Sequence, residues 1–177
     1  MDVWEQRKLK KYFKERSERS GKGEMLSVTI NDGVVKASSL KRKDNSSSDK
    51  SNYKLVRKGD IAYNSMRMWQ GASGTSPYSG IVSPAYTIIT PINNIVVDFF
   101  AYQFKMKSSL YKFQKYSQGL TSDTWNLKFP LLREIKMIAP NKNEQIKIVC
   151  LLKKLDSTIA SNQRHPFLLK IRPRPPP

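Results

Sequence analysis

One cysteine, Cys150, and one histidine, His165, are all the thiol and imidazole chemistry that 177 residues offer. A disulfide framework and a Cys-rich zinc site are thereby excluded, and a lone thiol suits a reducing cytoplasm. No Gly-rich phosphate loop ending in Lys-Ser or Lys-Thr is present, which excludes an ATP-driven motor. A nucleic-acid methyltransferase needs a Gly-rich cofactor loop and an Asn/Asp-Pro-Pro-aromatic motif. Neither is found, and adjacent prolines occur only at the end of the chain. No uninterrupted apolar run approaches the roughly 20 residues that span a bilayer, and the stretch from Met1 to Arg7 has no apolar signal-peptide core. A cytoplasmic protein without membrane association is expected, with no catalytic residue, metal or cofactor assigned. No internal repeat is visible.

Acidic residues are also scarce: 14 Asp and Glu stand against 32 Lys and Arg, for a net charge of +18 and a pI of about 10.1. Such an excess points to a polyanion, because neutralising phosphates releases condensed counterions. Acidic membranes are the competing polyanion, but the basic residues are spread along the chain and form neither a terminal cluster nor an amphipathic stripe. Nucleic acid is therefore preferred. Three Trp, eight Tyr and seven Phe are enough to fill a core and argue against a disordered chain.

Along the chain, residues 1–22 are highly charged, with Trp4, Leu9, Tyr12 and Phe13 as anchors, and read as a short helix. Residues 25–30 read as a strand, followed by a turn at Asn31-Asp32-Gly33 and a polar loop over 36–52. A strand pattern runs over 55–63 around a turn at Lys58-Gly59-Asp60. Another covers 81–89, with Pro84 disturbing its start. Residues 98–119 read as one helix: Asp98 suits the N-cap, Gly119 lies past the end, and Phe99, Tyr102, Met106, Leu110 and Phe113 recur at three- and four-residue steps. That stripe suits core packing better than base stacking. A short strand over 135–139 ends at Pro140. Asn141 and Glu144 then form a capping box for a helix whose Ile148, Leu152, Leu155 and Ile159 follow a heptad seam. Asn162 and Pro166 end that seam. The Pro- and Arg-rich tail from His165 is expected to be extended or disordered.

One arrangement hints at catalysis. Asp123 with Glu134-Ile135-Lys136 resembles a Mg²⁺-dependent nuclease set, in which carboxylates hold the metal and orient water. In a Lys-rich chain the triplet also arises by chance, and Glu134 and Lys136 serve equally as outward positions of a strand. The segment from Asn64 to Gly71 carries Arg67, suited to guanine or phosphate, and Asn64 and Gln70, suited to adenine. Met66, Met68 and Trp69 in the same segment suit packing at a sharp bend equally well, and residue type does not choose between the two.

The run Tyr53-Lys54-Leu55-Val56-Arg57-Lys58-Gly59-Asp60-Ile61-Ala62-Tyr63-Asn64-Ser65-Met66-Arg67-Met68-Trp69-Gln70-Gly71-Ala72 resembles the signature of the target-recognition domain of type I restriction–modification specificity subunits. Gly80-Ile81-Val82-Ser83-Pro84-Ala85-Tyr86 extends the resemblance. So do Trp4-Glu5-Gln6-Arg7-Lys8-Leu9 near the start and Ser117-Gln118-Gly119-Leu120 through Trp125-Asn126-Leu127. Pro140, Glu144-Gln145-Ile146 and Leu155-Asp156 follow in the family's order. The match covers about residues 1–163.

The resemblance implies an α+β target-recognition domain with a mixed sheet and packed helices over residues 1–140. Residues 141–164 begin a coiled-coil-type helix, here shortened, and 165–177 form a divergent tail. It implies sequence-specific binding of double-stranded DNA as one half of a specificity subunit, without catalysis of its own. Modification subunits that methylate adenine, and an ATP-dependent restriction subunit, would be the partners. A second copy pairing through residues 144–160 would supply the other half. DNA-contacting candidates are Lys41, Arg42, Lys43, Lys50, Arg67, Gln70, Ser122, Asn126 and Lys128. Because a shared signature cannot alone encode different targets, Arg67 to Gln70 reads as scaffold and loops 36–52 and 120–126 as the base readers. The alternatives are the small Mg²⁺-dependent nuclease and a non-specific basic RNA binder.

Overall fold

The computed structural model describes residues 4–41, 49–92 and 94–164. Its strands are β1 (Glu5–Lys8), β2 (Phe13–Glu15), β3 (Leu26–Val28), β4 (Val34–Lys36), β5 (Lys54–Val56), β6 (Ile61–Asn64), β7 (Ser73–Thr75), β8 (Gly80–Val82) and β9 (Tyr86–Pro91). The helices α1 (Val97–Lys105), α2 (Lys107–Tyr116) and the single turn α3 (Phe129–Leu132) follow. Strand β10 (Lys136–Ala139) and the long helix α4 (Lys142–Arg164) complete the order.

The centre is an antiparallel sheet in the order β2-β9-β6-β7. Side chains alternate across a strand, and here the two sides go to different cores. Ile61, Tyr63 and Ile89 join the helices with Phe13, Phe100, Phe104 and Phe113. Ala62 and Ile88, one residue away, pack on the other side with Leu26, Val28, Val34, Val56 and Val82 of the β3-β4 and β5-β8 ladders. A sheet covered on both faces explains why β6 and β9 read as continuous apolar runs rather than alternating ones. The α+β class and the terminal helix agree with expectation; the named ladders are antiparallel, and Met25 makes a parallel bridge to Ile81.

Residues 5–15 are not a helix. They form β1, a 3₁₀ turn and β2, because β1 pairs with the distant β10 (Glu5 opposite Ala139) and β2 with β9. The expected helix over 98–119 is two helices, broken at Met106, whose backbone is extended (ψ 141°). Phe104 and Phe113 are nine residues apart, about two and a half turns, and would face opposite ways on one straight helix. The break turns both inward, edge to face at 5.4 Å, and leaves Met106 exposed instead of buried. The strand pattern expected over 55–63 around a turn is β5 and β6, separated at Arg57 to Asp60. The single strand expected over 81–89 is instead two, β8 and β9, parted by a turn at Ser83 to Tyr86 beside Pro84.

Asn141 caps α4 as expected, its Oδ1 accepting the Glu144 N–H at 3.0 Å. Helix α4 lies on α1 through buried Val149. Gln145 accepts the Val96 N–H at 3.1 Å, Tyr102 donates to Asp156 at 2.6 Å, and Lys153 pairs with Asp98. Along the expected seam Ile148 and Leu152 are half-buried, whereas Leu155 and Ile159, with Leu151, are exposed. Among the described residues no helix is long and apolar enough to cross a membrane.

Candidate nucleic-acid interface

Strand β6 leaves the sheet at Asn64 and the chain turns sharply before β7. Asn64 Oδ1 accepts the Met66 N–H at 3.0 Å, a 3₁₀ turn covers Met68–Gln70, and Gly71 ends it with φ +86°. A side chain is disfavoured at that angle, so glycine sets the exit of the turn. Met68 is fully buried beneath it, as the packing reading of the signature requires. From behind, Lys105 of α1 donates to the Gly71 carbonyl at 2.5 Å and the Ile30 carbonyl at 2.7 Å. Burial lowers the pKa of this ammonium, and nearby Asp32 opposes the shift.

Ser65 ties three separate segments together. Its buried hydroxyl donates to the Ala85 carbonyl at 2.8 Å, and its carbonyl accepts the Leu127 N–H at 2.8 Å. The 118–126 loop is closed at its root by paired backbone hydrogen bonds between Gln118 and Asn126. It is held to the signature turn by Trp125, whose ring meets Trp69 edge-on at 5.2 Å. Trp69 in turn donates its indole N–H to the Met66 carbonyl at 3.1 Å.

Cations surround this junction. Arg67 is exposed and makes a 3.2 Å hydrogen bond to Gln70 Oε1, so the two candidates form one polar pair on the surface. Lys128 is exposed at the start of α3. Lys54 donates to the Tyr86 carbonyl at 2.7 Å. Burial lowers the Lys54 pKa and repulsion from Arg19 and Lys128 lowers it further, against attraction from Glu15. Like charges so placed are receptive to an anion.

The structure thus brings Arg67, Gln70, Ser122, Asn126 and Lys128 to one end of the central sheet. Ser122 is exposed in the loop, whereas Asn126 pairs its backbone with Gln118 and keeps Oδ1 buried. Lys41 and Lys50 stand on the separate β4–β5 connection, Lys41 exposed and Lys50 half-buried. Arg42 and Lys43 lie outside the described residues, as do the divergent tail and His165. Residue type did not single out Lys54, Arg19 or Ser65; the positions of Ser65 and Lys54 within the quoted signature were the available signal.

Glu134 of the nuclease alternative has a structural position. Its carboxylate accepts hydrogen bonds from Lys8 at 2.7 Å and Lys10 at 3.0 Å, which hold its pKa down to about 2. It thereby fastens the first strand to the segment leading into β10. Lys136 is an outward position of β10, and Asp123 belongs to the exposed 118–126 loop. Among the described residues no group of three or more His, Cys, Asp or Glu is placed to hold a metal ion.

The fold is similar to that of the HsdS subunit from Thermoanaerobacter tengcongensis, at 13% identity and a TM-score of 0.56, over 94% of this chain and 40% of that one. It is similar to the type I restriction-modification system S subunit from M. genitalium at 18% identity and a TM-score of 0.57, over 92% and 41%. A chain from a structure of complex assembly and conformational transition in the type I R-M system gives 15% identity, a TM-score of 0.58, and coverage of 92% and 40%. The chain thus spans about two fifths of the length of each of these proteins. No curated protein matches it. The family model described as type I restriction modification DNA specificity domain matches residues 1–170, and the chain belongs to that family.

Proposed function

We propose that the chain binds double-stranded DNA sequence-specifically as one half of a type I specificity subunit, directing partner subunits without performing chemistry itself. The observation that carries this is the junction where the turn bearing exposed Arg67 meets the exposed 118–126 loop through Trp69 and Trp125, with Lys128 next to the loop and repelling Lys54, in a chain of this family and of net charge +18. The cations hold phosphates and fix register, while the loop reaches base edges; phosphate contacts alone carry no sequence information. Residues 1–140 act as the recognition unit, and 141–164 begin the connecting helix. Methyltransferase subunits and an ATP-dependent restriction subunit are the proposed partners, with a second copy of this chain covering the exposed side of α4. The site of action is the cytoplasm.

Co-expression with a cognate modification subunit, followed by mapping of methylated adenines across a genome, tests this reading. A single recurring motif is expected. Absence of added methylation, or cleavage of DNA by the purified chain with Mg²⁺, overturns it. Equal affinity for duplex DNA of every sequence and for RNA points instead to a non-specific basic binder.

A further inference from the structure

The tip of the 118–126 loop carries a leucine that packs against nothing: Leu120 is fully exposed (101%). Thr121, Ser122 and Asp123 beside it are exposed as well. A single surface leucine means little by itself; its mounting and its neighbours give it meaning here. Gly119 has φ +146°, and a Cβ there would meet the Thr124 carbonyl oxygen at 2.6 Å, so only glycine permits this turn. Thr124 closes the tip, donating its N–H and its hydroxyl to the Thr121 carbonyl at 3.0 Å each, while its Oγ1 accepts the Thr121 N–H at 3.1 Å. Leu120 is therefore presented by a fixed backbone rather than left on a slack segment.

The chemistry of the loop changes from root to tip. Its root adjoins Lys128 and meets the turn that carries Arg67 through the Trp69–Trp125 contact, and both cations suit phosphate. Its tip bears an aliphatic side chain, two hydroxyls and the Asp123 carboxylate. An aliphatic group gains nothing from phosphate, and a carboxylate is repelled by it. Such a tip fits beyond the backbone, against base edges. A narrow minor groove concentrates negative potential and disfavours Asp123. The major groove offers partners for each group: the thymine 5-methyl for an apolar side chain, the cytosine 4-amino group for a carboxylate, and either base for hydroxyls.

The geometry points to Leu120 as a specificity-determining residue that packs against the 5-methyl group of a thymine in the major groove of the target. This rests on the proposed function and adds a named base contact to it.

The test starts with the full chain selecting its preferred duplex from a random library. Each thymine of that duplex is then replaced by deoxyuridine, which removes only the methyl group. At one position the swap should weaken wild-type binding about fourfold, the effect of burying one methyl. Leu120→Ala should bind the thymine duplex more weakly by at least that factor and should respond to the same swap less than about twofold. Leu120→Met should retain most of the preference. Because the side chain is fully exposed, Leu120→Ala should melt at the wild-type temperature, so folding does not confound the comparison.

Wild-type-like binding by Leu120→Ala, or a loss that is the same with thymine and deoxyuridine everywhere, overturns the assignment while leaving DNA recognition standing. Failure of the wild type to select any sequence overturns both. Normal DNA binding by Leu120→Ala with loss of methylation only in the assembled complex also overturns it, by moving Leu120 to a protein contact.

Discussion

Arg16 grips the buried carboxylate of Asp60 through two hydrogen bonds, Nε to Oδ2 at 2.8 Å and Nη2 to Oδ1 at 3.1 Å. Asp60 also accepts the Arg57 N–H at 2.9 Å, so one carboxylate holds the turn into β6 and fastens it to the segment after β2. Side-chain exposures of 11% and 3% put this pair out of solvent. Removing one partner leaves an uncompensated buried charge, which costs about 3–5 kcal/mol. Asp60→Ala and Arg16→Met should each lower unfolding free energy by that order in denaturant titrations. The double variant should cost less than the sum of the two. Additive losses would show that the pair is not coupled.

The cations proposed to hold phosphate lead to a measurement of salt dependence. Each lost phosphate contact lowers the slope of log affinity against log salt by about one. Arg67→Ala and Lys128→Ala should weaken binding to all duplexes alike and reduce the slope by about one apiece, with the preferred sequence unchanged. A changed preference with an intact slope would make Arg67 a base reader and restore the alternative that its residue type left open.

Trp125 fixes the 118–126 loop to the signature turn through its edge-on contact with Trp69. Such ring pairs contribute about 0.5–1.5 kcal/mol beyond the area they bury. Trp125→Ala should therefore cost a modest amount of stability but most of the discrimination between target and non-target duplexes. Trp125→Phe should recover most of that discrimination. Competition binding with matched and scrambled duplexes reads the effect; equal discrimination by Trp125→Ala would show that the loop needs no such anchor.

What the sequence made legible follows from how local each signal is. The cap on α4 and the turns after β3 and β5 are written in neighbouring residues, and each is found. The helix expected over 1–22 fails because Lys- and Glu-rich propensity is overridden by pairing of Glu5 with Ala139, a partner no local pattern reveals. Met106 fails for a related reason: its place in a helical stripe is correct locally, but two aromatic side chains compete for the same core. At the site, Arg67, Gln70 and Lys128 were nameable by charge and hydrogen-bonding capacity. Ser65 was not, since a serine that joins three segments has the same side chain as one that joins none.

Glu134 carries a pH dependence. Its folded pKa of about 2 lies below the ordinary 4.5 because Lys8 and Lys10 donate to the carboxylate. A depressed carboxylate stabilises the fold above the unfolded value, and that contribution is lost as pH falls from about 4.5 toward 2. Thermal melts should show the wild type losing stability over this window and Glu134→Gln losing less, starting from a lower value near neutrality. If Glu134→Gln has the wild-type acid profile, the Lys8 and Lys10 pairs do not form in solution.

The exposed side of α4 is the last surface to account for. Leu151, Leu155 and Ile159 are 60%, 50% and 54% exposed, following the half-buried Ile148 and Leu152. If a second copy covers this stripe, two recognition faces become related by a two-fold axis, and the bound site is palindromic. About two heptads give a weak seam, because short helices gain little from pairing. Sedimentation should then show a dimer that forms with rising concentration and is favoured by duplexes carrying two half-sites. Leu151→Gln with Leu155→Gln should abolish it while leaving the melting temperature nearly unchanged, since half-exposed surface positions carry little of the fold's stability. A chain that remains monomeric at every concentration, with and without DNA, would assign the stripe to a partner other than itself.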